Sequence, residues 1–76
     1  MPRIRISAAR PRASDRNLAS VVQTYTGLPL PEALRAIERV RAGHAVELEM
    51  DDEYAAYDLA GVLADLGMTA DVDESY

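Results

Sequence analysis

Arg3-Ile4-Arg5-Ile6-Ser7-Ala8 alternates polar and apolar residues. A period of two marks a half-buried strand, so Ile4, Ile6 and Ala8 are expected to face a core and Arg3 and Arg5 to face solvent. Two later stretches alternate in the same way. In Ala45 to Met50, Val46, Leu48 and Met50 point inward and Glu47 and Glu49 outward; in the last strand Ala70 and Val72 point inward and Asp71 and Asp73 outward. The outward charges order the strands. Placing the arginine strand between the two acidic ones, order 2-1-3, sets opposite charges side by side on both flanks. Placing the acidic strands together would set like charges opposite each other, which is unfavourable.

Between the strands the period changes to that of helices. Ser14 or Asp15 can cap a first helix, on which Leu18, Val21, Val22 and Tyr25 fall at i, i+3, i+4 and i+7. Gly27 ends it, since glycine adopts positive φ at no steric cost. Leu28-Pro29-Leu30-Pro31 makes a turn, with Pro31 suited to the first position of a second helix. The buried stripe of that helix is Ala33, Leu34, Ile37 and Val40, and Gly43 stops it. Asp51 or Asp52 caps a third helix with the core face Ala55, Leu59, Val62, Leu63 and Leu66; Gly67 ends it and Met68 folds back onto it. Arg10-Pro11-Arg12 is a connector, and Glu74 to Tyr76 is expected to fray.

The element order is therefore β-α-α-β-α-β. A right-handed crossover makes the second and third strands parallel, and the first runs antiparallel to both. The expected fold class is an α/β two-layer sandwich, a three-stranded sheet in order 2-1-3 covered on one face by three helices. The 76 residues form one domain, with its core at about residues 3–73.

Charge is segregated along the chain. All eight basic residues are arginines within the first 41 residues, against three acids there, giving +5; from His44 onward ten acids and no base give −10, which together make the net −5. Such asymmetry serves either pairing within the fold or an interaction surface. Without cysteine, neither a disulfide framework nor a thiolate metal site can form, and a cytoplasmic setting fits. No apolar run reaches the length of a membrane span, and no signal h-region is read in the opening residues.

At Thr26-Gly27-Leu28-Pro29-Leu30-Pro31-Glu32-Ala33 the chain resembles the C-terminal domain of the bacterial ribosomal large-subunit stalk protein, which reads Thr-Gly-Leu-x-Leu-x-Glu-Ala at the joint of its first two helices. Asp51-Asp52-Glu53-Tyr54-Ala55 is similar to that family's acidic start of the third helix, and Leu63-Ala64-Asp65-Leu66-Gly67-Met68-Thr69-Ala70-Asp71-Val72 to its ending. The resemblance implies the same element order and a protein partner met by the first two helices. In that family the partners are translation GTPases and the face is basic. The corresponding positions are Asp15, Arg16, Ala19, Ser20, Gln23 and Leu34, which keep little of the basic character. The family's N-terminal dimerisation segment and alanine-rich hinge have no counterpart, so something other than a complete stalk protein is expected. A second family of this topology, the adaptor of the Clp protease, reads an acidic-acidic-tyrosine loop before its first helix, where this chain has Arg10-Pro11-Arg12-Ala13-Ser14-Asp15.

The remaining constellations do not point to catalysis. His44 has no evident orienting partner for general-base work. Asp51-Asp52-Glu53 lacks the spaced ligands and glycine of a calcium loop and reads as a helix cap. The arginines lack interleaved aromatics, so nucleic acid is not the expected partner, although Arg10, Arg12 and Arg16 could touch an acidic one. No enzyme activity, metal or cofactor is expected. The expected function is a protein-binding module, linked to translation, or else a free-standing adaptor or inhibitor, of accessory or phage type or Clp-adaptor-like, acting on an unrelated protein. Its candidate contact surface is the outward side of the first helix: Arg16, Ala19, Ser20, Gln23 and Thr24. A second apolar side of the third helix, Ala56, Tyr57, Ala60 and Ala64, is the candidate for a homodimer contact.

Overall fold

The computed structural model describes residues 2–10 and 12–73, with residues 8 and 9 described by their backbone alone. The orientation expected for Ala8, the proline of the connector and the end at Glu74 to Tyr76 lie outside this description. Strand β1 (Arg3–Ala9) leads to helices α1 (Asp15–Thr26) and α2 (Leu30–Arg41), strand β2 (Val46–Glu49), helix α3 (Glu53–Asp65) and strand β3 (Met68–Asp73).

The sheet has the order β2-β1-β3, with β1 antiparallel to both neighbours. Its register sets Arg3 opposite Glu49 and Asp73, and Arg5 opposite Glu47 and Asp71. The Arg3 guanidinium reaches Glu47 at 3.9 Å and Glu49 at 3.7 Å, all three side chains being exposed. On the opposite face Ile4 and Ile6 are fully buried beneath the helices. The alternation of β1 thus fixes both faces at once. The β1–β3 register slips by one between Ser7 and Ala9, and beyond it Arg10 N–H donates to the Gly67 carbonyl at 3.0 Å and Arg12 N–H to the Leu66 carbonyl at 2.8 Å. These two bonds tie the connector to the end of α3.

Local chemistry starts and stops the helices. Ser14 Oγ accepts from Asn17 N–H at 3.2 Å and caps α1; Asp52 Oδ1 accepts from Tyr54 N–H at 3.0 Å and caps α3. Gly27, at φ 77°, closes α1 with its N–H donating to the Gln23 carbonyl. Thr26 Oγ1 donates to the Val22 carbonyl at 2.7 Å and accepts from Leu28 N–H at 3.2 Å, so one hydroxyl ends the helix and holds the turn. Helix α2 begins one residue earlier than expected, at Leu30, with Pro29 as its cap. The Pro29 carbonyl accepts from both Glu32 and Ala33 N–H, and Pro31 takes the second helical position, where its missing donor is equally harmless.

The core joins Ile4 and Ile6 to Leu18, Ala19, Val22, Ala33, Ile37, Val40, Met50, Ala56, Leu59, Leu63 and Met68. The expected stripes hold in outline, with three additions. Ala19, Ala36 and Ala56 are buried although they lie to one side of the stripes read from periodicity. Helices α2 and α3 lie against the sheet and α1 packs on both of them, so each helix buries a wider arc than one apolar stripe. Alanine is the residue that lets backbones approach there. On α3 the buried side is Ala56, Leu59 and Leu63, while Ala55, Val62 and Leu66 are half-buried at its margins.

Candidate functional surfaces

Among the described residues no side-chain nitrogen or oxygen is buried without a partner, and no three His, Asp or Glu side chains are grouped to hold a metal ion. His44 is exposed after the end of α2, its backbone N–H donating to the Arg39 carbonyl at 3.0 Å. Of the acidic run, Asp52 is engaged in capping and Glu53 lies in the first turn of α3, where a carboxylate favours the helix dipole. No helix of the described chain is long and apolar enough to cross a membrane. What the fold presents is a set of surfaces.

The first is the outward side of α1. Arg16, Ser20, Gln23 and Thr24 are exposed along it, at i, i+4, i+7 and i+8. Ala19 is not part of it. It is 0% exposed and belongs to the core, because α1 is covered by α2 and α3 on adjacent sides. The Thr24 hydroxyl donates to the Ser20 carbonyl at 2.9 Å. That bond satisfies the hydroxyl within the helix. Arg16 is the one charge in this strip, since Asp15 turns aside to the Arg41 guanidinium at the end of α2. Arg41 also donates to the Ala13 carbonyl, clamping the start of α1 to the end of α2.

The second surface is the outer face of α3. Tyr54 is 82% exposed and Tyr57 50% exposed, one turn apart. On the same face follow Asp58, Gly61, Ala64 and Asp65, all exposed. Of the four residues named for a dimer contact, Ala56 is fully buried, Ala60 half-buried, and Tyr57 and Ala64 lie on this outer face. The structure therefore splits that group, because Ala56 and Ala60 turn toward the protein's own core. Tyr54, Asp58, Gly61 and Asp65 escaped the reading of the sequence; the spacing Tyr54, Tyr57, Gly61 was the signal for them. A glycine inside an exposed helix is less favourable than alanine by about 1 kcal/mol. Nothing inside the fold requires one here, since a Cβ at Gly61 would meet no atom within 4 Å.

The third surface is the open face of the sheet, where Arg3 and Arg5 are flanked by Glu47, Glu49, Asp71 and Asp73. Arg3 pairs with Glu47 and Glu49, and Arg5 stands opposite Glu47 and Asp71 in the register.

No protein-family model matches the chain, and no curated protein matches it either.

Proposed function

We propose that the chain is a non-enzymatic protein-binding module that meets its partner through the outward side of α1, with Arg16, Ser20, Gln23 and Thr24 in contact. The observation that carries this reading is the low charge of that strip. The exposed side of α2 carries Glu32, Arg35, Glu38, Arg39 and Arg41, and that of α3 carries Glu53, Asp58 and Asp65. The α1 strip carries Arg16 alone, and charged groups are depleted at interface cores because desolvating them is costly. The self-satisfied Thr24 hydroxyl lowers that cost further. The resemblance to the ribosomal stalk C-terminal domain supports the same side of the same helix.

Two classes of partner follow. A translation-linked partner follows from the resemblance. A free-standing adaptor or inhibitor acting on an unrelated protein is favoured by the near-neutral character of the strip, which differs from the basic face of the stalk family. A photo-crosslinker placed at Gln23 identifies the partner, and Ser20→Glu with Gln23→Glu tests the surface. The double variant should lose the crosslinked partner while its thermal midpoint stays near that of the parent chain. Binding should fall only slightly with added salt, because one exposed charge contributes little. Full binding by the double variant would exclude this side of α1.

A further inference from the structure

We infer that the outer face of α3 is a second docking surface, and that it takes an arginine-bearing segment of another protein. The inference does not depend on the α1 surface. It rests on three properties of one face. Tyr54 and Tyr57 expose two aromatic rings one turn apart, and tyrosine is among the residues enriched at interfaces. Gly61, one turn beyond Tyr57, leaves bare backbone on the surface, and apart from the adjoining backbone of α3 itself no atom of the described residues lies within 4 Å of where a Cβ would stand. With Ala64 after it, this makes a step beside the rings into which a foreign backbone can settle. A glycine disfavoured in a helix, and not required by internal packing, is accounted for by an external neighbour that needs the space.

The charges name the chemistry of that neighbour. Glu53, Asp58 and Asp65 are exposed beside the rings and the step, and from His44 to the end the chain has no base. The described ion pairs join Arg3 to Glu47 and Glu49 and Arg41 to Asp15; none involves an acid of α3. A cationic segment would meet carboxylates that have no ionic partner among the described residues. Arginine fits better than lysine. Its planar guanidinium stacks on a tyrosine ring while its edge donates to a carboxylate, and both kinds of group lie within one turn here. A symmetric contact of α3 with α3 of a second copy would set acid against acid, so the face does not suit a two-fold homodimer.

The experiment is selection of peptides from a randomised display library on the immobilised full chain. Synthetic versions of the selected peptides are then titrated against the parent chain and the variants Tyr57→Ser, Gly61→Gln and Asp58→Asn. Selected peptides should be enriched in arginine, and their lysine versions should bind more weakly. Each variant should weaken binding about tenfold or more, a loss of about 1.4 kcal/mol or more. Gly61→Gln should do so with an unchanged or raised thermal midpoint, which separates the lost step from lost folding. Peptides without arginine enrichment would overturn the inference. So would selected peptides indifferent to all three variants, and those lost only with Gln23→Glu would point to the α1 surface instead. Concentration-dependent self-association of the chain that Tyr57→Ser abolishes would also overturn it, by assigning the face to a second copy.

Discussion

Replacing Leu59 by alanine tests the packing of α3 directly. Leu59 is fully buried and belongs to the one core cluster that joins the sheet to the three helices. The substitution removes three carbons, worth about 2.4 kcal/mol at about 0.8 kcal/mol for each buried methylene. The cavity that remains adds to this, and measured leucine-to-alanine costs run to about 2–5 kcal/mol. At about 0.05–0.15 kcal/mol per residue, a chain of 76 residues has about 4–11 kcal/mol in all. With an unfolding entropy near 2.1 cal/mol/K per residue, about 160 cal/mol/K in total, a loss of 3 kcal/mol lowers the thermal midpoint by about 20 °C. Circular dichroism at 222 nm (a helix wavelength) followed through heat and urea gives the measurement. With a urea slope near 1 kcal/mol/M, the midpoint should fall by about 3 M. Val62→Ala is the companion variant. Val62 is half-buried at the margin of the same helix, so its cost should be clearly smaller. An unchanged midpoint for Leu59→Ala, or a larger loss for Val62→Ala, would mean that α3 is turned the other way.

Ala19→Glu should abolish the cooperative unfolding transition, because it forces a carboxylate into a site with 0% exposure; Gln23→Glu on the exposed side should stay within about 0.5 kcal/mol of the parent by urea denaturation. Gly27→Ala should cost about 1–2 kcal/mol by the same assay, entirely from backbone strain at φ 77°, since a Cβ there meets no atom within 4 Å. Arg5→Glu sets like charges directly opposite Glu47 and Asp71; it should destabilise by about 1 kcal/mol, more than Arg5→Gln, and the difference between the two should shrink in high salt.

The strands were legible because their signals are strong and redundant. Alternation marks each one, and the charges on β1, β2 and β3 agree on a single order. Gly27 and Gly67 were legible as stops because positive φ leaves few alternatives to glycine. The facing of the helices was only partly legible. Helix α3 has apolar residues on more than one side, so Ala55 and Ala56 cannot be told apart by hydropathy; only the packing of α3 between the sheet and α1 decides that Ala56 is inside. Ala19 and Ala36 escaped for the same reason. Alanine carries little hydrophobic signal, and its burial depends on how closely two helices approach, which is a tertiary property. The misplacement of Ala19 also shaped the reading of the contact surface, since one of its five residues turned out to hold the core together.

The segregation of charge along the chain has its first use in the fold. Hydrophobic alternation is satisfied equally by either placement of the strands, since each presents one apolar face. The four cross-strand pairs of Arg3 and Arg5 with Glu47, Glu49, Asp71 and Asp73 are not indifferent. At about 0.2–1 kcal/mol each, and at the low end for exposed groups, they sum to about 1 kcal/mol. Moving the acidic strands side by side would forfeit that and add repulsion of similar size. A swing of about 2 kcal/mol is a substantial part of a total near 4–11 kcal/mol, enough to select one topology from two that bury the same core. The arginines that do this work all come from β1, and the acids they answer all lie on β2 and β3. The acids of α3 take no part in the choice. Glu53 serves the first turn of that helix, but Asp58 and Asp65 flank Tyr57 and Gly61 on its outer face, where neither the core, the sheet nor the helix start requires them, and the proposed partner of that face accounts for them.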